Sequence, residues 1–183
     1  MSDLSQAKVL ILATDGFEES ELFDPRQALL DAGVSVTLAS IKTDAIQGEV
    51  KGEKGKSITP DITLDQVDSD DYDALLLPGG VGNPDKLRVE ERAVEIVTEF
   101  FDDEKPIAAI CHAPWLLAEA DVIDGRTVTG WPSIRTDLEN AGADVVDQEV
   151  AIDGNLITSR KPDDIPAFSA ALLKALTEQT ADA

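Results

Sequence analysis

The residues of this chain best suited to covalent chemistry are adjacent: its only cysteine and its only histidine, Cys111 and His112. They stand inside PIAAICHAPWLLAEA, from Pro106 to Ala120. A thiol with an ordinary pKa of about 8.5 is mostly protonated at neutral pH, and the thiolate is the nucleophile. Ile107 to Ile110 reads as a short, wholly apolar strand, the pattern of a central parallel strand covered on both faces. Ala113, Leu116, Leu117 and Ala120 then recur at helical spacing. The thiol therefore falls where a strand gives way to a helix. The free N–H groups and dipole of the first helical turn favour the thiolate there. A sharp turn would also bring the neighbouring imidazole near the sulfur. A lone cysteine is more often a buried apolar filler; its place at the turn favours chemistry.

Gly79-Gly80 is a second feature, following the apolar strand Ala74 to Leu77 and Pro78. Paired glycines let the backbone approach a substrate closely, and their N–H groups, with that of His112, could stabilise an oxyanion. An ordinary strand-ending turn accounts for the dipeptide equally well. Glu18 lies just past the first strand, where an acid ordinarily serves the first turn of a helix.

The Cys-His-x-Pro turn resembles the nucleophile turn of the PfpI intracellular protease family, in the superfamily that includes the class I glutamine amidotransferases. FEESEL (17–22), LLLPGG (75–80), NAGADVVDQEV (140–150) and TSRKPDDIPAF (158–168) match it in order. The likeness runs from Lys8 to about Leu176. It implies that Cys111 is the nucleophile, with His112 moving the proton. It also implies that Glu18 sits beside the sulfur, protonated or sharing a proton with it. A charged carboxylate would raise both pKa values, whereas a protonated one donates a hydrogen bond to the thiolate. Oxyanion or substrate contacts fall at Gly79, Gly80 and Ala113, where the family usually has Gly. The acid that orients His112 comes, by the same likeness, from a neighbouring subunit and falls on Asp85, one methylene shorter than the Glu of some relatives. Trp115, Trp131 and Pro132 are candidates for the pocket wall, although aromatics near a helix start more often serve packing. The resemblance implies a cytoplasmic cysteine hydrolase, a homo-oligomer (a dimer, or a hexamer built from dimers). Its substrate is a peptide or a small carbonyl compound such as methylglyoxal or its adducts, and no cofactor is called for. A reading from another class is a stress-response redox sensor, with the same thiol oxidised.

The elements that must position these residues alternate. Lys8 to Ala13 is a first strand, Glu18 to Ala32 a helix that Pro25 divides, and Val34 to Ala39 a second strand; β-α-β connections of this kind give parallel pairs. Ile46 to Leu64 reads as a small hairpin or edge extension. Val89 to Phe101 is an amphipathic helix with Val89, Ala93, Val97 and Phe100 on one side. Thr127 to Gly130 is a short strand and Pro132 to Ala141 a helix. Val145 to Val150 and Leu156 to Thr158 are strands, with a turn at Asp153-Gly154. Pro162 to about Glu178 is the closing helix, and the residues after it fray. The pattern predicts one α/β domain, a three-layer doubly wound sandwich with a mostly parallel sheet, flavodoxin-like or class I glutamine amidotransferase-like. Ligands in such folds bind at the carboxyl ends of the strands, where Asp15, Gly79 and Cys111 should gather.

Composition excludes several functions. No apolar run approaches the ~18 residues of a membrane span, and MSDLSQAK lacks the basic and apolar regions of a signal peptide. One cysteine rules out an internal disulfide. With 37 acidic against 15 basic residues the net charge is -22, and no basic face for nucleic acid is visible. The acids are spread rather than clustered, with no metal-loop spacing, and Gly48, Gly52 and Gly55 lack the helix-opening Gly-Lys-Ser/Thr of a phosphate loop. The spread suits a solvated acidic surface in a high-salt, halophilic cytoplasm, where ions screen the self-repulsion. The melting temperature is therefore expected to rise between low and molar salt, as followed by circular dichroism; an unchanged value contradicts the reading.

Overall fold

Alternation along the central strands decides the architecture. The computed structural model describes residues 4–182. In chain order the elements are β1 (Lys8–Leu12), β2 (Phe17–Glu18), α1 (Glu19–Asp31), β3 (Ser35–Ser40), β4 (Ile46–Val50), β5 (Glu53–Ile58), β6 (Ile62–Thr63) and β7 (Ala74–Leu77). There follow α2 (Gly82–Leu87), α3 (Glu91–Asp102), β8 (Ile107–Ile110), α4 (Pro114–Glu119), β9 (Thr127–Val128), α5 (Arg135–Asn140), β10 (Asp144–Val145), β11 (Ala151–Asp153), β12 (Leu156–Ser159) and α6 (Ile165–Asp182). The main sheet has the order β11-β12-β8-β7-β1-β3-β6. Its neighbours are parallel except β11 and β12.

Because side chains alternate across a strand, a wholly apolar strand feeds two cores. Leu10, Leu12, Leu75, Leu77, Ile107 and Ala109 pack towards α3, α4 and α5, against Ile96, Val97, Phe100, Leu116 and Leu138. Val9, Ile11, Leu76, Ala108 and Ile110 pack towards α1 and α6, against Leu22, Leu29, Phe168, Leu172 and Leu176. Each fully buried large apolar side chain contributes about 1.5–3 kcal/mol relative to exposure. The result is the expected α/β sandwich with a mostly parallel sheet between helical layers.

The expected hairpin is also present. β4 and β5 pair antiparallel, and β2 joins them in a small sheet of its own. The two-residue turn Lys51-Gly52 has φ of 51° and 84°, the left-handed pair that suits a tight hairpin. The turn expected at Asp153-Gly154 falls one residue later: Asp153 ends β11 paired with Leu156, and Gly154-Asn155 joins antiparallel β11 and β12.

Several boundaries differ from expectation. Pro25 does not divide α1: it is buried on the inward stripe with Leu22 and Leu29, and that packing carries the helix past the missing N–H. Val89 lies outside α3 and is 79% exposed; the buried stripe is Ala93, Ile96, Val97 and Phe100. Of the expected strand Val145 to Val150 only Val145 lies in a strand, in β10, which pairs with β9 away from the main sheet. Asp147 is instead drawn into ion pairs with Arg135 and Arg160. The strand at Thr127 ends at Val128, because the Thr129 N–H turns to the Thr158 hydroxyl. α6 runs to Asp182 instead of fraying after Glu178; Ala183 lies outside the described residues. Among the described residues no helix is long and apolar enough to cross a membrane. Phe100 is fully buried under the sheet, so Phe100→Ala should lower unfolding stability by about 3–5 kcal/mol in urea titration.

Candidate active site

β8 ends at Ile110, and the chain turns at once. Cys111 has φ of 65°, a left-handed conformation that a non-glycine residue adopts at a cost of about 1–2 kcal/mol. Three backbone hydrogen bonds hold it there. The Cys111 N–H donates to Ser159 O of β12 at 3.0 Å, the Trp131 N–H donates to Cys111 O at 2.8 Å, and the Ala113 N–H donates to Ile110 O at 3.0 Å. The thiol thereby leaves the sheet plane and faces the Gly79-Gly80 turn after β7. A Cβ on Gly79 would come within 2.7 Å of the Cys111 Cβ and 2.8 Å of Glu21 Oε1. Gly80 has φ of 79° and lies against the Gly16 and Glu18 backbone. This turn is pinned by Asn83, which sequence reasoning missed. Its buried side-chain amide donates to Pro78 O and Gly79 O and accepts from the Thr14 N–H at the end of β1.

The Cys111 Sγ lies 3.2 Å from His112 Nδ1, so the turn does bring the adjacent imidazole to the sulfur. The Gly80 and His112 N–H groups stand near enough to the sulfur to favour its charged form, and the acid against it is Glu21. Glu18, expected there, is not. It ends β2 with extended backbone, and its carboxylate accepts from the Lys51 N–H at 3.3 Å on the cavity rim. Glu21 lies further along, within the first turn of α1, and is fully buried. Its Oε1 accepts from the Gly80 N–H at 3.2 Å, while Oε2 is buried without a hydrogen-bond partner. The spacing held a signal for it: positions 21, 25 and 29 continue one inward helical stripe.

Burial, and then the charge of Glu18, push the Glu21 carboxyl up to about 8, against the pull of the Gly80 N–H. It is therefore mostly protonated at neutral pH. Burial also pushes the Cys111 thiol up strongly, and an ionised Glu21 would push it further; the Gly80 and His112 N–H groups act the other way. This corrects the expectation that the helix start lowers the thiol, because enclosure outweighs the dipole of a six-residue helix. Burial lowers the His112 imidazole. At rest the pair is thus a neutral thiol beside a neutral ring, and the site makes charge only when a proton moves.

The other expected residues are placed as follows. Gly79 supplies closeness rather than a shown donor. The Ala113 N–H is consumed by Ile110 O, so it is not free for a substrate. Asp85 is exposed on α2 and makes no hydrogen bond to His112 within the chain. Asp15 anchors the hairpin, accepting from Lys42 and the Gln47 N–H. Cys111, His112, Gly80 and Trp131 line a cavity of about 480 Å³, with Lys51 and Lys161 on its walls. Trp115 touches the His112 ring but not the cavity, and Pro132 is exposed outside it. Larger surface grooves beside α3 and Asn155 hold no cysteine or histidine. Among the described residues no three His, Cys, Asp or Glu side chains group to hold a metal ion.

A cysteine on a left-handed turn beyond a central parallel strand, with a buried carboxyl against it, marks a class of α/β proteins built around a nucleophile turn. Comparison with known proteins names the family: residues 7–175 match DJ-1/PfpI, and the chain belongs to the DJ-1/PfpI family. It is 47% identical over 164 residues to general stress protein 18 of Bacillus subtilis, covering 88% of this chain and 93% of that one. It is 41% identical over 169 residues to deglycase PfpI of Pyrococcus furiosus, covering 92% and 99%. A solved two-domain protein of Anabaena variabilis, with DJ-1/ThiJ/PfpI-like and ferritin-like domains, matches at a TM-score of 0.89 and 36% identity. The match covers 93% of this chain and 48% of that one, so the chain spans about half its length.

Glu21 titrates near 4.5 in an unfolded chain and near 8 in the fold. The folded state holds the proton longer, so this contribution to stability is full below about pH 4.5 and is lost as pH rises through 8. Urea unfolding of the wild type should therefore show stability falling from pH 5 to 8 more steeply than that of Glu21→Gln, and Glu18→Gln, which removes one of the charges that raise Glu21, should also flatten the fall, by less.

Proposed function

We propose that the protein is a cysteine-dependent hydrolase acting on small reactive carbonyl compounds or their adducts. The observation that carries this reading is the 3.2 Å contact between Cys111 Sγ and His112 Nδ1 on the wall of a cavity open to solvent. A carbonyl carbon entering the cavity meets the sulfur as His112 takes the thiol proton. The C–S bond forms, the carbonyl π pair moves to oxygen, and the backbone donors at Gly80 and His112 lie beside the reacting atoms to receive that charge. Glu21, protonated, keeps a second negative charge out of the same space. The proton on His112 then passes to the new oxyanion, or to the amine of an adduct as its bond to carbon breaks. From a free dicarbonyl, a hydrogen shift between the two carbonyl carbons turns the hemithioacetal into the thioester of a hydroxy acid; water then attacks the sulfur-bearing carbon, the C–S bond breaks, and the thiol regains its proton. A cavity of about 480 Å³ suits a small dicarbonyl or its adduct better than an extended peptide, and a relative named as a deglycase supports the same class.

The second reading is a redox sensor of stress. Its support is the same donor set, able to hold an oxidised sulfur, together with a relative named as a general stress protein. A homo-oligomer belongs to both readings, since Asp85, exposed on α2, can orient His112 only across a subunit interface.

Turnover of methylglyoxal and of a peptide substrate in high salt separates these readings. Cys111→Ala should lose at least about 1,000-fold in kcat/KM for methylglyoxal, with little wild-type activity on the peptide. Turnover that survives in Cys111→Ala ends the hydrolase reading; absent turnover with peroxide-dependent oxidation of Cys111 favours the sensor.

A further inference from the structure

Both tryptophans of the chain pack on its only histidine. Trp131 stacks on the His112 ring, with centroids 5.7 Å apart and planes at 23°. Trp115 meets it edge to face at 5.1 Å and 65°. Each tryptophan is itself anchored. Trp115 Nε1–H donates to Asp137 Oδ2 at 2.9 Å, and the Arg88 guanidinium, tied to Glu119, covers its ring at 5.3 Å. Trp131 is held through its backbone N–H, which donates to Cys111 O at 2.8 Å. The imidazole between them makes one hydrogen bond among the described residues, to Cys111 Sγ. A Cys–His pair ordinarily has its imidazole oriented by a carboxylate or amide on the second ring nitrogen. Within this chain none is bonded there, and aromatic faces stand on two sides of the ring.

We propose that Trp115 and Trp131 are positioning residues: they hold the His112 ring against the Cys111 sulfur and share its positive charge once it has taken the thiol proton. The inference rests on the cysteine-hydrolase reading for its catalytic consequence, but not for its geometry. In the step itself the S–H bond breaks, the sulfur keeps the electron pair, and the proton goes to Nδ1, leaving thiolate and imidazolium. A cation within about 6 Å of an indole centroid is attracted by the ring quadrupole, more strongly where water is excluded. The charge is absent at rest, since burial holds the imidazole neutral, so the attraction acts where charge develops. Arg88 already occupies Trp115, which makes Trp115 the fixed wall and Trp131 the face that takes up the charge. The titratable groups beside the ring are Cys111 and Glu21. Across the cavity Lys51 and Lys161 stand among Glu18, Glu49 and Asp163, and Asp137 is spent on the Trp115 N–H.

The test uses the full chain. Because there is one histidine, histidine-selective isotope labelling gives one set of ring signals, and their pH titration reads His112 directly. Trp131→Leu should lower that titration point by about 0.5–1 pH unit. It should slow alkylation of Cys111 by iodoacetamide at neutral pH about 3- to 10-fold, through the same loss. Trp131→Phe, which keeps an aromatic face, should restore most of both. For methylglyoxal, kcat falls in Trp131→Leu while KM stays close to the wild type. If Trp131→Leu does not fold, Trp115→Leu should slow alkylation with a smaller change in titration. Wild-type titration and alkylation in the leucine variants overturn the proposal. So does a Trp131→Phe variant that behaves like Trp131→Leu, which would assign the loss to packing rather than to an aromatic face. Absence of methylglyoxal turnover in the wild type sinks the hydrolase reading alone, because titration and alkylation still decide the clamp.

Discussion

A carboxyl and a thiol are enclosed together where the sheet ends, and the enclosure tolerates one negative charge. This constraint organises the site. Glu21 and Cys111 cannot both ionise at short range without water, so the proton shared by the region stays on the carboxyl while the sulfur does chemistry. The backbone around them is arranged accordingly. The Gly80 N–H reaches both Glu21 Oε1 and the sulfur, which is possible only because neither glycine of the turn has a Cβ to keep the groups apart. Asn83 locks that turn to the end of β1, so three neighbouring strands set the distance between acid and nucleophile.

The fold was legible where a single pattern decides. Wholly apolar strands with pleated alternation specify a sheet covered on both faces, and strand followed by helix located Cys111 and His112 at a turn. The site was less legible where two patterns meet. FEESEL offers three acids where an extended pair becomes a helix, and the hand-over residue decides which one points inward. Glu18, still extended, stays on the rim, while Glu21 falls on the stripe of Pro25 and Leu29. The tightness of the Cys111 turn was likewise invisible: sequence suggests free amides there, but the Ala113 N–H is consumed within the turn. The sign of the thiol shift went wrong because a helix dipole can be read from spacing, whereas burial depends on the elements folded over it.

Long-range ion pairs account for the remaining departures. Arg135 and Arg160 converge on Asp147 and pull that segment out of the expected strand, and the first two residues that do pair join a separate ribbon with β9. Partners from distant positions leave no local trace. The same holds for Trp131, nineteen residues beyond His112 in the sequence, whose indole meets that ring only in three dimensions.

The left-handed backbone of Cys111 is secured from β12 and from the segment after β9, both of which follow it by tens of residues. A nascent chain that has just released Cys111 from the ribosome has nothing to impose that conformation. Its sulfur is an ordinary, unaligned thiol until Ser159 has been synthesised and its strand has docked. The alignment of sulfur with imidazole and turn therefore arrives only with the completed topology.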